Sequence, residues 1–271
     1  MSIFNAIILG AVQGLTEFLP VSSSGHLVLL QKVFGISEPA LFFDTMVHMG
    51  TLAAVLTVLR REIWAILRRF VQPLTAYLVI ATVPAVIFAL ALKKNIEAAF
   101  ESGGFLGFAF LITATLIITA EFLSRRAKMT EFRKAESMNW LDAVIIGIMQ
   151  AIAITPGISR SGATISGALS RKLDRSFAAR FSFLLSIPAI LGAVALQTKD
   201  LLKGADSHTV VGAGAVIAGT LTAAVVGFFA VRFMLKIISE KSLWGFAVYT
   251  GVLGIMIIID QYVTHFIEWA L

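Results

Sequence analysis

Six long apolar runs limit what this chain can fold into. Leu41–Leu59, Leu74–Leu92, Phe105–Leu123, Phe177–Leu196, Val210–Val231 and Trp244–Ile259 approach the about 20 residues that carry a helix across a hydrocarbon core of about 30 Å. In lipid the backbone must satisfy its own hydrogen bonds, so such runs become helices or close into a barrel. Barrel strands alternate apolar and polar residues in segments of about 10, and these runs do not alternate. With 58% hydrophobic and 14% charged residues, the chain has too little charge to cover a soluble surface. The prediction is an all-α polytopic membrane protein.

The N-terminus Met1-Ser2-Ile3-Phe4 has no basic region and no later small-residue cleavage site, so no cleaved signal peptide is expected. The absence of cysteine excludes disulfides and thiolate chemistry. A net charge of +6 with a pI near 9.8 could point to nucleic acid, but the placement of the charge argues for a bilayer instead.

Sixteen of the 22 basic residues lie in four short connections, residues 60–72, 124–139, 171–180 and 232–243. Lys32, Lys93, Lys94, Lys199 and Lys203 occupy the others, and Arg160 stands apart. Cytoplasmic loops attract Lys and Arg. The crossings reconcile with that rule only if residues 3–34 and 140–172 each enter and leave on one side. The first would then be a re-entrant hairpin from the outer face and the second one from the cytoplasmic face. Reading Ser2–Leu15 and Trp140–Ile154 as full spans makes them short and breaks the charge sorting. The expected architecture is therefore an inverted-topology repeat within one membrane domain, 1–271, each half a re-entrant helical hairpin plus three transmembrane helices. Residues 1–123 hold spans 41–59, 74–92 and 105–123. Residues 140–271 hold spans 177–196, 210–231 and 244–263. Two hairpin tips meeting at the midplane would line a cavity, the place where irregular backbone is tolerated.

Those two tips carry one motif twice. GAVQGLTEFLPVSSSG (10–25) and GIMQAIAITPGISRSG (147–162) align at an offset of 137, matching Gly10 with Gly147, Gln13 with Gln150, Ser22 with Ser159, Ser24 with Ser161 and Gly25 with Gly162. The mismatches are as informative. The first copy has Glu17 and His26 where the second has Ile154 and Ala163, and Arg160 replaces Ser23.

Ser22 and Ser159 are predicted helix N-caps. Helix N-termini present free N–H groups and partial positive charge, so Ser22, Ser24, Gly25, Ser159, Ser161 and Gly162 together suit a phosphate or diphosphate. Serine and glycine also serve plain helix packing in bilayers, but the repetition and Arg160 favour the anion. An arginine at membrane depth costs at least about 2.5–3.5 kcal/mol unless paired, and its planar fork matches phosphate oxygens. The competing account is a structural ion pair with Glu17 or another acid. Glu17 follows Gln13 by one helical turn, so the two share a face. It could act as a base, or ligate a divalent cation with substrate phosphates and a neutral contribution from Gln13. Ser23 and His26 can share a face at a helix start, and the histidine could take a proton or attack phosphorus. Asp44 and His48, four apart near the outer end of the first full span, could border the cavity or bind metal, or could serve at the headgroup interface. Glu121 is expected to snorkel from a span end, and Asp142 to complement a helix dipole. His208 and His265 receive no role.

The runs QGLTEFLPVSSSGH (13–26) and PGISRSGATISG (156–167), with FDTMVHMGTLAAVL (43–56) and FSFLLSIPAILGA (181–193), closely resemble the bacterial undecaprenyl-diphosphate phosphatases, also called bacitracin-resistance proteins. The resemblance covers nearly the whole chain. It implies hydrolysis of undecaprenyl diphosphate to undecaprenyl phosphate and inorganic phosphate, which recycles the lipid carrier for cell-wall synthesis. It also implies a bacterial inner-membrane location, a site opening to the outer side, and a divalent cation, Mg²⁺ or Ca²⁺. The family's acid-rich motif corresponds to Gln13 and Glu17, its serine-histidine motif to Ser22, Ser23, Ser24 and His26, and its arginine to Arg160. Some members carry Glu where this chain has Gln13, which shifts the load to Glu17. The partners implied are a polyprenyl diphosphate lipid and the bilayer, with a homodimer allowed and no nucleic acid. The competing function is a secondary transporter or flippase for a phosphorylated polyprenyl lipid, since inverted repeats with broken midplane helices are common in transporters.

Overall fold

The structure, a computed structural model, describes residues 1–36, 41–127, 132–202, 211–267 and 269. Lys128, Lys203, His208 and Val210 lie outside the described residues. Twelve α-helices make up the described chain: α1 Ile3–Thr16, α2 Ser23–Val33, α3 Leu41–Val58, α4 Arg60–Arg68, α5 Pro73–Ala91, α6 Lys93–Ser102, α7 Leu106–Ala127, α8 Trp140–Ile152, α9 Arg160–Ser170, α10 Arg175–Leu202, α11 Ala213–Glu240 and α12 Trp244–Ile259. Among the described residues the only β pairing is an isolated bridge between Arg133 and Leu173.

Five helices (α5, α7, α10, α11 and α12) are long and apolar enough to cross a membrane, and a sixth span exists if α3 is counted with α4. The chain is a multi-pass membrane protein. The apolar run that begins at Leu41 ends where α4 bends away by 76°. Residues 60–68 are too basic to continue into hydrocarbon, and α4 has no buried residue. Both α4 and α6 fall where the sequence pattern suggests plain loops, because a short amphipathic helix has too few turns to show its period clearly.

The helices α1 and α8 have 14 and 13 residues. At 1.5 Å per residue they extend only about 20 Å, and each is followed by a turn and an 11-residue helix, α2 or α9. The start of α8 and the end of α9 meet on the basic side, where Arg133 and Arg171 both grip Asp142. The end of α2 lies elsewhere: Lys32 stacks on Trp269 and approaches Gly103, the C-cap of α6. Gln261, beyond α12, closes that end by donating to the Gly103 carbonyl at 2.9 Å.

Glycine sets the helix packing, as expected where lipid supplies no hydrophobic drive between helices. In α1, a Cβ on Gly10 would stand 2.2 Å from the Gly219 carbonyl oxygen of α11. In α8, a Cβ on Gly147 would stand 2.7 Å from the Ala81 carbonyl oxygen of α5. The two motif copies thus begin with the same close approach, each to a helix of the other half. Phe18, in the first turn, is fully buried against Phe183 of α10, ring centroids 5.4 Å apart and edge-on.

Glu121 does not snorkel. It is 2% exposed, accepts from Arg175 at 2.7 Å and from the Leu243 amide at 2.8 Å, and joins α7 to the start of α10 and of α12. Asp142 does more than complement a dipole. It completes a capping box with Asn139 and takes hydrogen bonds from Arg133 (2.8 and 3.1 Å) and Arg171 (2.7 Å).

Candidate active site

The two motif loops meet tip to tip. Ser22 caps α2 by accepting from the Gly25 amide at 3.2 Å, and Ser159 caps α9 by accepting from the Gly162 amide at 3.0 Å. Across the junction the Gly157 amide donates to Ser24 Oγ at 3.4 Å, and Ser161 Oγ donates to the Leu19 carbonyl at 2.8 Å. A Cβ on Gly25 would lie 2.8 Å from Phe110 Cζ and 3.0 Å from Gly157 Cα, while Gly157 adopts φ +90°. Only glycine lets the backbones approach this closely and turn this way. The hydroxyls of Ser24 and Ser161 thus tie the two loops together, while those of Ser22 and Ser159 cap their own helices.

One carboxylate gathers the remaining polar groups. Glu17 is the C-cap of α1 and its side chain is 5% exposed. Its Oε1 accepts from Arg160 Nη2 at 2.6 Å. Its Oε2 accepts from Ser23 Oγ at 2.5 Å and from Gln13 Nε2 at 2.9 Å. His48 Nε2 stands 3.9 Å from the same Oε2. Residues 13, 23, 48 and 160 therefore converge on the carboxyl group of Glu17.

Arg160 Nη1 and Gln13 Oε1 are buried without a hydrogen-bond partner. A buried unpaired donor beside an ion pair costs of order 1–3 kcal/mol or more, so these atoms point to a ligand that uses them. The guanidinium offers its second nitrogen to an anion. The amide oxygen offers a neutral ligand to a hard cation. Among the described residues, no group of three or more His, Cys, Asp or Glu could hold a metal ion. Any cation here would take most of its ligands from substrate oxygens and water.

His26 is placed apart from this carboxylate. Its Nδ1 lies 2.7 Å from the Ser22 carbonyl and its Nε2 lies 2.7 Å from the Tyr249 hydroxyl. A carbonyl only accepts, so Nδ1 carries a proton, and in the neutral ring Nε2 accepts from Tyr249. Asp44 ties α3 to α2 by accepting from Gln31 at 2.8 Å, and its carbonyl accepts from His48 Nδ1 at 2.6 Å. That bond turns His48 Nε2 toward Glu17. His265 closes the turn after α12, donating its amide to the Asp260 carbonyl.

Two contributors were missed in the sequence. Thr113 of α7 supports the second loop, accepting from the Ser159 amide at 2.9 Å and donating to the Gly157 carbonyl at 3.3 Å. Tyr249 of α12 supports the first through His26. The available signal was a hydroxyl in the middle of an apolar run, which in lipid needs a partner.

Known proteins resemble the chain over this whole architecture. The sequence profile of the family described as "Bacitracin resistance protein BacA" matches residues 6–256. A protein of Carboxydothermus hydrogenoformans named undecaprenyl-diphosphatase is 46% identical, the alignment covering 96% of this chain and 98% of that protein. Undecaprenyl-diphosphatase 4 of Bacillus thuringiensis is 44% identical, covering 98% and 99%. The undecaprenyl-diphosphatase of Alkaliphilus metalliredigens is 40% identical, covering 96% and 98%. With its profile matched from the first helix to the last, this chain belongs to the bacitracin resistance protein family.

Proposed function

We propose that this protein hydrolyses undecaprenyl diphosphate to undecaprenyl phosphate and inorganic phosphate. The observation that carries the chemistry is Ser23 Oγ, 2.5 Å from Glu17 Oε2, with Arg160 on the other oxygen of that carboxylate. A hydroxyl on a carboxylate is a nucleophile beside its base. Ser23 Oγ attacks the terminal phosphorus and Glu17 takes its proton. The bond from that phosphorus to the bridging oxygen breaks, and undecaprenyl phosphate leaves as an anion. Water then attacks the phosphoserine phosphorus. The bond to Oγ breaks, Glu17 returns its proton to Oγ, and both water protons leave on inorganic phosphate. Arg160 holds the transferring oxygens through Nη1, since phosphoryl transfer rests on positioning and charge stabilisation. A divalent cation, Mg²⁺ or Ca²⁺, would be held by Gln13 Oε1 and Glu17 together with diphosphate oxygens, and would supply offsetting positive charge.

The two halves form an inverted-topology repeat in this reading. It is supported by the exchanged packing, α1 on α11 and α8 on α5, and by the ends of the second hairpin gathering on the basic side. With basic loops in the cytoplasm, the first hairpin enters from the outer face of the bacterial inner membrane and the site opens to that side. A transporter or flippase has no need of a serine bonded to a carboxylate, so the hydrolase is favoured.

The test is phosphate release from undecaprenyl diphosphate by protein purified in detergent, with no gradient across a membrane. Wild type should turn over, and Ser23→Ala should lose at least about 10³-fold. Undiminished release by Ser23→Ala would overturn the serine assignment, and no release by wild type would overturn the hydrolase.

A further inference from the structure

We infer that Tyr249 is a positioning residue for phosphoryl transfer, acting through His26 on the strained backbone of Ser22 and so on the aim of Ser23. The inference rests on the serine reading above. Ser22 has φ 70° and ψ 96°, a conformation that a residue with a Cβ adopts only when its surroundings force it. Its carbonyl accepts from the His26 amide at 3.2 Å and from His26 Nδ1 at 2.7 Å. The imidazole is held in turn. Tyr249 OH bonds Nε2 at 2.7 Å, the Tyr249 ring stacks on it at 5.7 Å and 10°, and Phe110 meets it edge-on at 5.3 Å. Tyr249 thereby holds the ring in the orientation from which Nδ1 donates to Ser22.

The second motif copy is an internal control. Ser159 caps its helix in the same way but at φ −70°, and Ala163 stands where the first copy has His26. Strain and histidine occur together, in the copy that carries Ser23. Relaxation of Ser22 would turn the following residue, and displacement of a reacting atom by about 1 Å costs up to about 10²-fold.

The experiment uses the purified full chain, undecaprenyl diphosphate and four variants. Tyr249→Phe should lower kcat about tenfold with KM within about twofold. His26→Asn keeps an N–H at the place of Nδ1, whereas His26→Gln reaches only toward the place of Nε2, so His26→Asn should retain more activity. Adding Tyr249→Phe to His26→Asn should cost nothing further, because the hydroxyl has already lost its acceptor. Unchanged kcat in Tyr249→Phe, a raised KM with normal kcat, His26→Gln outperforming His26→Asn, or additive losses in the double variant would each overturn the inference. If Tyr249→Phe fails to fold, the two His26 substitutions still test the histidine-to-Ser22 link, without which the inference falls. Ser23 is intact throughout, so failure here is distinct from failure of the serine assignment, which Ser23→Ala reads alone.

Discussion

Glu17 and Asp142 are both buried carboxylates gripped by arginine, yet they are built in opposite ways. Asp142 lies in the first turn of α8, where the helix dipole favours an anion. Both of its oxygens are used, by Arg133, Arg171 and the Asn139 amide, and Arg133 also reaches the Arg171 carbonyl at 3.3 Å. Glu17 lies at the C-terminal end of α1, where the dipole disfavours an anion. Its arginine leaves Nη1 unpaired, and the neighbouring Gln13 leaves Oε1 unpaired. One cluster is complete by itself and belongs to the frame. The other departs from the local rules and keeps a buried donor and a buried acceptor unpaired, which marks it as the candidate site.

The comparison predicts opposite responses to truncation. Arg160→Ala should lower phosphate release by about 10²–10³-fold or more, while the protein still inserts, purifies and melts within a few degrees of wild type. Near-normal turnover would return the Arg160–Glu17 pair to a structural role. Asp142→Ala should invert that pattern, losing about 2–4 kcal/mol of stability through the cap and the broken ion pairs, with specific activity of the folded fraction close to wild type. A melting curve in detergent beside a turnover assay reads both. An Asp142→Ala protein of normal stability and poor activity would erase the distinction.

Thr113→Val should fall between the two. It strands the Ser159 amide at the second tip, a cost of about 1–3 kcal/mol for a buried unpaired donor, and it should also reduce turnover because Arg160 follows directly. Loss of stability with full activity would show that the second tip need not be rigid. The smallest effect is on pH. Burial by itself would raise the Asp142 pKa, but hydrogen bonds from Arg133, Arg171 and Asn139, with the Arg133 charge, outweigh it and hold it below 3.8. A lowered folded-state pKa contributes stability that is complete above the unfolded value and is lost as pH falls through the folded one. The melting advantage of wild type over Asp142→Asn should therefore be constant near neutrality and shrink below about pH 4. A constant difference down to pH 2 would mean that the clamp carries no linked proton.

Much of the candidate site was legible because membrane depth makes polar residues conspicuous. Arg160, Glu17 and the repeated serines stand out against apolar neighbours, and their spacing placed them at two hairpin tips. Thr113 and Tyr249 were not legible, since a single hydroxyl in an apolar run bonds its own helix as readily as a distant loop. Glu121 was misread for a related reason. A carboxylate at a span end reaches water unless another element covers it, and α10 and the start of α12 cover this one.

By itself the sequence determined that the chain crosses a membrane as helices, that its loops sort by charge, and that two copies of one polar motif share their framework but not their chemistry. These are properties of composition, period and offset, and they act locally along the chain. Only the tertiary structure decided the partners: that Ser23 bonds Glu17 and not His26, that Arg160 closes on the same carboxylate from the other copy, and that His26 turns to Tyr249. Those choices depend on which helices press together at Gly10 and Gly147. Backbone approach of that kind is set by the packing of the whole bundle and leaves no local pattern to read.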